Sequence, residues 1–104
     1  MLLKTKPSVT KGGPMKRIMA VGVFDLLHAG HLHYLEQAKA LGDHLTVVIA
    51  HDDTVRKRKH EPVTNQELRQ RMVSGLKPVD DVVLGNPPDI PIFDILPQIQ
   101  PNLI

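Results

Sequence analysis

Two histidines, His28 and His31, flank Ala29 and Gly30 in the stretch "GVFDLLHAGH". An apolar run precedes them and a helix-like run follows, so they sit at a strand-to-helix junction. A helix N-terminus offers N–H groups without intrahelical partners and a partial positive charge, which together attract phosphate. Gly30 lets backbone approach closely there. Each imidazole can donate a hydrogen bond to a phosphate oxygen, and a protonated ring adds charge. No candidate serine or cysteine nucleophile lies nearby. That combination suits stabilising a phosphoryl-transfer transition state by position and charge, without a covalent intermediate. Two other readings stay open at this point. As loop residues, the histidines would cap the helix. With His33 they could also bind a metal, although no carboxylate partner of HExxH type accompanies them.

A second candidate is the basic run Arg56, Lys57, Arg58 and Lys59. The formal charge is only +2, from 13 Lys and Arg against 11 Asp and Glu. Three further lysines fall in the first eleven residues, and outside these two places the chain is slightly acidic. Basic character this local points to an anionic ligand near one loop rather than a nucleic-acid-binding face. A solvated loop is the competing reading. His33, His44, His51 and His60 read as structural or solvated, and Asp52 and Asp53 as turn residues. Tyr34 and Phe93 read as core or helix-face residues.

Elements must hold these groups in place. The chain of 104 residues suits one domain with one modest core. Aromatic residues make up 3%, so that core is aliphatic. The absence of cysteine excludes disulfides, thiolate metal sites and cysteine nucleophiles, and agrees with a cytoplasmic protein. No apolar run approaches the roughly 18 residues of a membrane span, and the N-terminus lacks the apolar stretch of a signal peptide. Residues 1–14 read as a disordered tail, and residues 15–104 as the domain.

From Lys16 onward, apolar runs alternate with helical periodicity. "RIMAVGVF" is expected to be a strand covered on both faces. Leu32, Leu35, Ala38 and Leu41 form a helical stripe, with Gly42 as a stop. "LTVVIA" is a second buried strand, and residues 51–63 read as a polar, basic loop. Thr64 and Glu67 make a capping box for a helix whose face carries Leu68, Met72 and Leu76. "DDVVLG" is a third strand and "NPPDIP" a turn with Asp89 as N-cap. A short helix through Ile92, Phe93, Ile95 and Leu96 is limited by Pro97, and "NLI" starts a fourth strand. This order predicts a Rossmann-like α/β/α fold with a parallel sheet and right-handed crossovers. Ligands of such sheets bind beyond the carboxyl ends of the strands, where "GVFDLLHAGH" falls and which the basic run should rim.

At this point the residues resemble a family. Gly22-Val23-Phe24-Asp25 followed by His28-Ala29-Gly30-His31 is similar to the G-x-F-D…H-x-G-H signature of cytidylyltransferase-like nucleotidyltransferases. The resemblance runs on through "HLHYLEQAKALGD", "VVIAHDDTV", "RKRK", "ELRQRM" and "LKPVDDVVLG", over roughly residues 15–104. Within the family, "AHDDTVRKRK" and "LKPVDDVVLG" look most like the archaeal FAD synthase branch, an FMN adenylyltransferase. The glycerol-3-phosphate cytidylyltransferase branch comes second.

The resemblance implies a nucleoside triphosphate over the first strand-helix junction. Val23, Phe24, Ala29 and Gly30 would contact the nucleotide, and His28 and His31 would be catalytic, holding the phosphates. Lys57, Lys59 and Arg69 would reach it as well, and Asp25 would orient the loop rather than perform chemistry. A phosphate of the second substrate would attack the α-phosphate and expel pyrophosphate, with a divalent cation, Mg²⁺, on the triphosphate. The implied pairs are ATP with FMN or, alternatively, CTP with glycerol 3-phosphate. A homodimer is implied, and neither a membrane nor a nucleic acid as partner. Val23 replaces a threonine common in relatives, which removes a hydroxyl contact. Relatives also continue into a G-x-D-type segment and a later Ser-, Thr- or Arg-rich segment. Neither is present, so the domain reads as incomplete at its C-terminus, and the second substrate's pocket is expected to be missing. A truncated nucleotide- or RNA-binding module without catalysis is the reading from another class.

Overall fold

A computed structural model describes residues 16–88. Its elements are β1 (Arg17–Gly22), α1 (Ala29–Ala40), β2 (His44–Ile49), α2 (Asp52–Arg58), α3 (Gln66–Ser74) and β3 (Asp81–Leu84). The strands form one parallel sheet in the order β1-β2-β3. Ile18 faces Leu45, Ala20 faces Val47, and Val47 in turn faces Val82. The β/α alternation therefore yields the parallel α/β sheet expected of it.

Alternation along the strands sorts the side chains into two faces. Ile18, Ala20, Leu45, Val47, Ile49 and Val82 join Leu35 and Ala38 of α1 and Val73 of α3 in the main core. Burying each such Leu, Ile or Val contributes about 1.5–3 kcal/mol. Met19 and Val48 form a smaller cluster on the other face, with Val83 packed against it. Val21 on that face is 41% exposed, so β1 is not covered on both faces along its whole length.

Four local expectations need correction. Residues 52–58 are helical, not loop, so Arg56, Lys57 and Arg58 ride on α2 and Lys59 caps it. His51 starts that helix by accepting from the Asp53 N–H at 3.1 Å, and Asp52 and Asp53 place negative charge in its first turn. The N-cap of α3 is Asn65 rather than Thr64, with its side chain accepting from the Leu68 N–H at 2.9 Å. Leu68 and Met72 do not form the buried face of α3. Both are about half exposed, while Arg69, Val73 and Ser74 point inward. In α1, Leu35 and Ala38 are buried, but Leu41 caps the helix and is exposed. The expected tail over residues 1–14 lies outside the described residues. So do Asp89, the helix through Ile92, Phe93, Ile95 and Leu96, and the fourth strand.

Candidate active site

The chain leaves β1 through two left-handed residues, Phe24 (φ 54°) and Leu26 (φ 53°). Side chains with a Cβ rarely adopt that region, and each such residue costs on the order of 1–3 kcal/mol unless its surroundings hold it. The turn at Phe24 folds its ring back over Gly22, where a Cβ would lie 2.6 Å from the ring. Between the two, the Asp25 carboxylate accepts from the backbone N–H groups of Val63 (2.7 Å) and Thr64 (3.0 Å). Burial pushes the Asp25 pKa up, but these backbone bonds outweigh it and hold the carboxyl below its ordinary value, with Thr64's side chain and the Arg69 charge adding to them. Asp25 thus ties the β1–α1 turn to the loop before α3.

The two histidines then open α1 as a reciprocal cap. His28 Nδ1 accepts from the Gly30 N–H at 3.0 Å, and His31 Nδ1 accepts from the His28 N–H at 3.1 Å. This is the capping-box arrangement, with imidazoles in the roles usually taken by Ser or Thr and Glu. A Cβ on residue 30 would lie 2.8 Å from His28 Cε1, so glycine is what allows the ring to fold onto the helix end. The cap has a chemical consequence. A neutral imidazole that accepts at Nδ1 carries its proton on Nε2, so both rings present Nε2–H donors. The rings lie 4.0 Å apart between centroids. Burial, and secondarily the charge of His28, lowers the His31 pKa, which keeps that ring neutral at pH 7. The capping and phosphate readings are therefore compatible: one nitrogen of each ring serves the helix and the other remains a donor. The backbone N–H groups of His28 and Gly30, by contrast, are already satisfied by the rings.

Beside this cap is a cleft of about 320 Å³, lined by Val21, Gly22, Val23, Phe24, Asp25, His31, Tyr34, Lys59 and His60. Of the residues singled out in the sequence, Val23, Phe24, His31 and Lys59 come together there. His28, Ala29 and Gly30 adjoin it through the first turn of α1. Tyr34 is a helix-face residue whose ring stacks against Phe24, 6.4 Å between centroids. It lies three positions after His31, a spacing that already places it on the histidine's side of α1. His60 had no signal in the sequence, because it enters the cleft only through the turn that ends α2.

The rest of the basic run disperses. Arg56 pairs with Asp53 (2.8 Å) and Glu61 (2.7 Å), and Glu61 is the main reason its pKa is raised. Arg58 lines an adjoining cavity of about 270 Å³ with Val21, Val48, His51 and Thr54. Lys57 is exposed on α2 and lines neither. Arg69 departs furthest from expectation. It is 1% exposed and donates to the carbonyls of Thr64 (2.9 Å) and Val23 (2.8 Å) and to Asp52 Oδ1 (2.5 Å). With three of its five N–H donors on protein acceptors, Arg69 braces the loops, and it does not line the cleft. Asp52, read from the sequence as a turn residue, is its counter-ion. Burial raises the Asp52 pKa, but the Arg69 bond and the Gln66 N–H outweigh it and hold the carboxyl below its ordinary value. His44 pairs with Asp81 at 3.6 Å and His33 is exposed on α1, both away from the cleft. Among the described residues, no group of three or more His, Asp or Glu is arranged to hold a metal ion, and no helix is long and apolar enough to cross a membrane.

Comparison with known proteins follows the same lines. The cytidylyltransferase-like family model matches residues 19–104. FAD synthase of Aciduliprofundum boonei is 47% identical over 90 residues, which is 86% of this chain and 59% of that protein. FAD synthase of Methanolacinia petrolearia is 51% identical over the same shares, and that of Thermococcus onnurineus 48% identical over 85% of this chain. The chain thus spans about 59% of the length of these curated relatives. Among solved structures, the lipopolysaccharide core biosynthesis protein of Thermoplasma volcanium is similar with a TM-score of 0.79 and 41% identity, over 86% of this chain and 72% of that one.

Proposed function

The chain belongs to the cytidylyltransferase-like family, and from that premise we propose that it carries the nucleotide half of an FMN adenylyltransferase. The reaction is transfer of AMP from ATP to FMN. An oxygen of the FMN phosphate forms a bond to the α-phosphorus, the bond from that phosphorus to the α,β-bridging oxygen breaks, and pyrophosphate leaves with the electron pair. The choice of ATP and FMN rests on the FAD synthase relatives. The chemistry rests on one observation, the reciprocal Nδ1 caps of His28 and His31 at the N-terminus of α1, which leave each Nε2 to donate to a phosphate.

In this reading the triphosphate lies in the cleft along Val23 and Phe24, with its α-phosphate against the two imidazoles. The cap holds each ring in one tautomer before substrate arrives, so no reorganisation is needed as charge develops on the phosphoryl oxygens. Lys59 lines the same cleft and supplies a positive charge to it. Enzymes of this kind generally use a divalent cation with the triphosphate. The described residues do not fit a cage for one, because Asp25 and Asp52 spend their oxygens on backbone N–H groups and Arg69. Magnesium would be carried by the nucleotide's own phosphates and would neutralise their charge.

The test is pyrophosphate release with Mg²⁺ and each substrate pair. Release with ATP and FMN is the expected result. Release only with CTP and glycerol 3-phosphate would identify a cytidylyltransferase instead. Triphosphate binding without release from any pair would identify a binding module.

A further inference from the structure

The cleft is built from two pieces with no covalent reason to stay in register: the β1–α1 turn that carries the histidines, and α2, which ends in Lys59. We infer that Arg69 is the positioning residue that sets one piece against the other, acting through the Val23 carbonyl and through Asp52. The inference rests on the nucleotide reading of the cleft for what is being positioned.

Arg69 is the fourth residue of α3 and lies behind the cleft rather than in it. One side of its guanidinium holds the carbonyl of Val23 at 2.8 Å. That carbonyl belongs to the peptide joining Val23 to Phe24, so fixing it fixes the plane from which Phe24 enters its left-handed conformation. The other side holds Asp52 Oδ1 at 2.5 Å. Asp52 is the first residue of α2, and it is locked again to Gln66: its N–H donates to Gln66 Oε1 (2.8 Å), and its Oδ2 accepts from the Gln66 N–H (3.2 Å). Nε of Arg69 holds the Thr64 carbonyl at 2.9 Å, while the Thr64 N–H is on Asp25. One planar, rigid fork therefore reaches the histidine turn, the start of the cationic helix and the loop between α2 and α3. Lysine has a single ammonium on a flexible stem and cannot hold three acceptors in those fixed directions.

Arg69→Lys and the milder Asp52→Asn test this in the intact chain, with Mg²⁺-ATP as the probe. Two readouts are needed besides the thermal midpoint: the ATP dissociation constant by calorimetry, and the ring-nitrogen tautomers of His28 and His31 by ¹⁵N NMR. The expected result is folded variants whose ATP affinity is about tenfold to a hundredfold weaker, since losing one hydrogen bond to a charged phosphate costs about that much. In the same variants the Nε2–H tautomer should give way to averaged signals. Lower thermal midpoints with unchanged tautomers and unchanged affinity would overturn the inference and leave Arg69 a purely structural brace. Should Arg69→Lys fail to fold, Asp52→Asn decides alone, because it keeps both carbonyl bonds of the guanidinium. If the unaltered chain binds no ATP, the nucleotide reading fails. The tautomer response to Arg69→Lys then still decides whether Arg69 positions the histidine turn.

Discussion

Each end of the sheet contains an ion pair with one buried member, Asp80 at one end and Arg69 at the other, and the two pairs do different work. At the amino end, Asp80 is 1% exposed and accepts from Lys39 Nζ and from the Leu45 N–H (2.8 Å). Its own N–H donates to the Leu45 carbonyl at 3.0 Å. Lys39 lies in the last turn of α1, where its charge also meets the negative end of the helix, and it donates to the Asp43 carbonyl at 2.8 Å. What is joined there is the end of α1, the turn after it, the start of β2 and the residue before β3, none of it left-handed. At the carboxyl end, Arg69 and Asp52 join loops, and the backbone they hold includes the left-handed Phe24. A pair that fastens regular backbone contributes stability. A pair that holds strained backbone beside a cleft contributes geometry, and that is where function is to be sought.

The contrast is broken most severely at the histidine end. His31→Ala should lower pyrophosphate release from ATP and FMN by about 10²–10³-fold, the usual cost of removing one donor from a developing phosphoryl or acyl oxyanion. The thermal midpoint should move by only a few degrees, because the ring is half-buried and its lost cap is worth about 1 kcal/mol. Full activity in this variant would remove the phosphate role from His31.

The mirror experiment is Lys39→Ala. It leaves Asp80 buried without its cation, an arrangement that costs about 2–3 kcal/mol for a partner that is itself 20% exposed. In a domain of this size that lowers the thermal midpoint by roughly 10–20 °C. The affinity of the folded fraction for Mg²⁺-ATP should stay within twofold of the unaltered chain. A large loss of ATP affinity would show that the two ends are coupled and that the division of labour is wrong.

The same contrast explains what could be read from the sequence. The parallel sheet was legible because β1 and β2 are short runs of Ile, Val, Leu, Met and Ala, and α1 carries Leu35 and Ala38 on one face. The cleft was legible as far as its motif reached, at Val23, Phe24, Asp25 and the histidine pair. The α2 helix was not, since "DDTVRKR" buries only Val55 and shows no apolar period. On α3, periodicity pointed to Leu68 and Met72, and the structure buries Arg69 instead. Hydrophobic pattern cannot anticipate an arginine whose partners, Val23 and Asp52, lie 46 and 17 positions away. The histidine cap was open as a reading from position alone, although cap signals are ordinarily sought in Ser, Thr, Asp and Asn.

The smallest expected effect is acid sensitivity, and it should arise at the carboxyl end. Burial, with the charge of His28 second, holds the His31 pKa below its ordinary 6.5 in the folded chain. Between the two values the unfolded chain binds more protons than the folded one, so stability is complete above about pH 6.5 and declines as pH falls toward the folded value. Asp25 and Asp52 add a second, lower window. Burial alone would raise both, but the Val63 and Thr64 N–H groups on Asp25, and Arg69 and Gln66 on Asp52, bring them below 3.8. Their contribution is present above about pH 3.8 and is lost as pH falls through their folded values. Urea unfolding across this range should therefore show a shallow decline below pH 6.5 and a steeper one below pH 4. In His31→Gln the shallow decline should flatten while the steep one remains, because the glutamine cannot take up a proton and the two carboxylates are untouched. If the shallow decline persists in that variant, another histidine carries it, and the neutral, pre-set ring assigned to His31 must be given up.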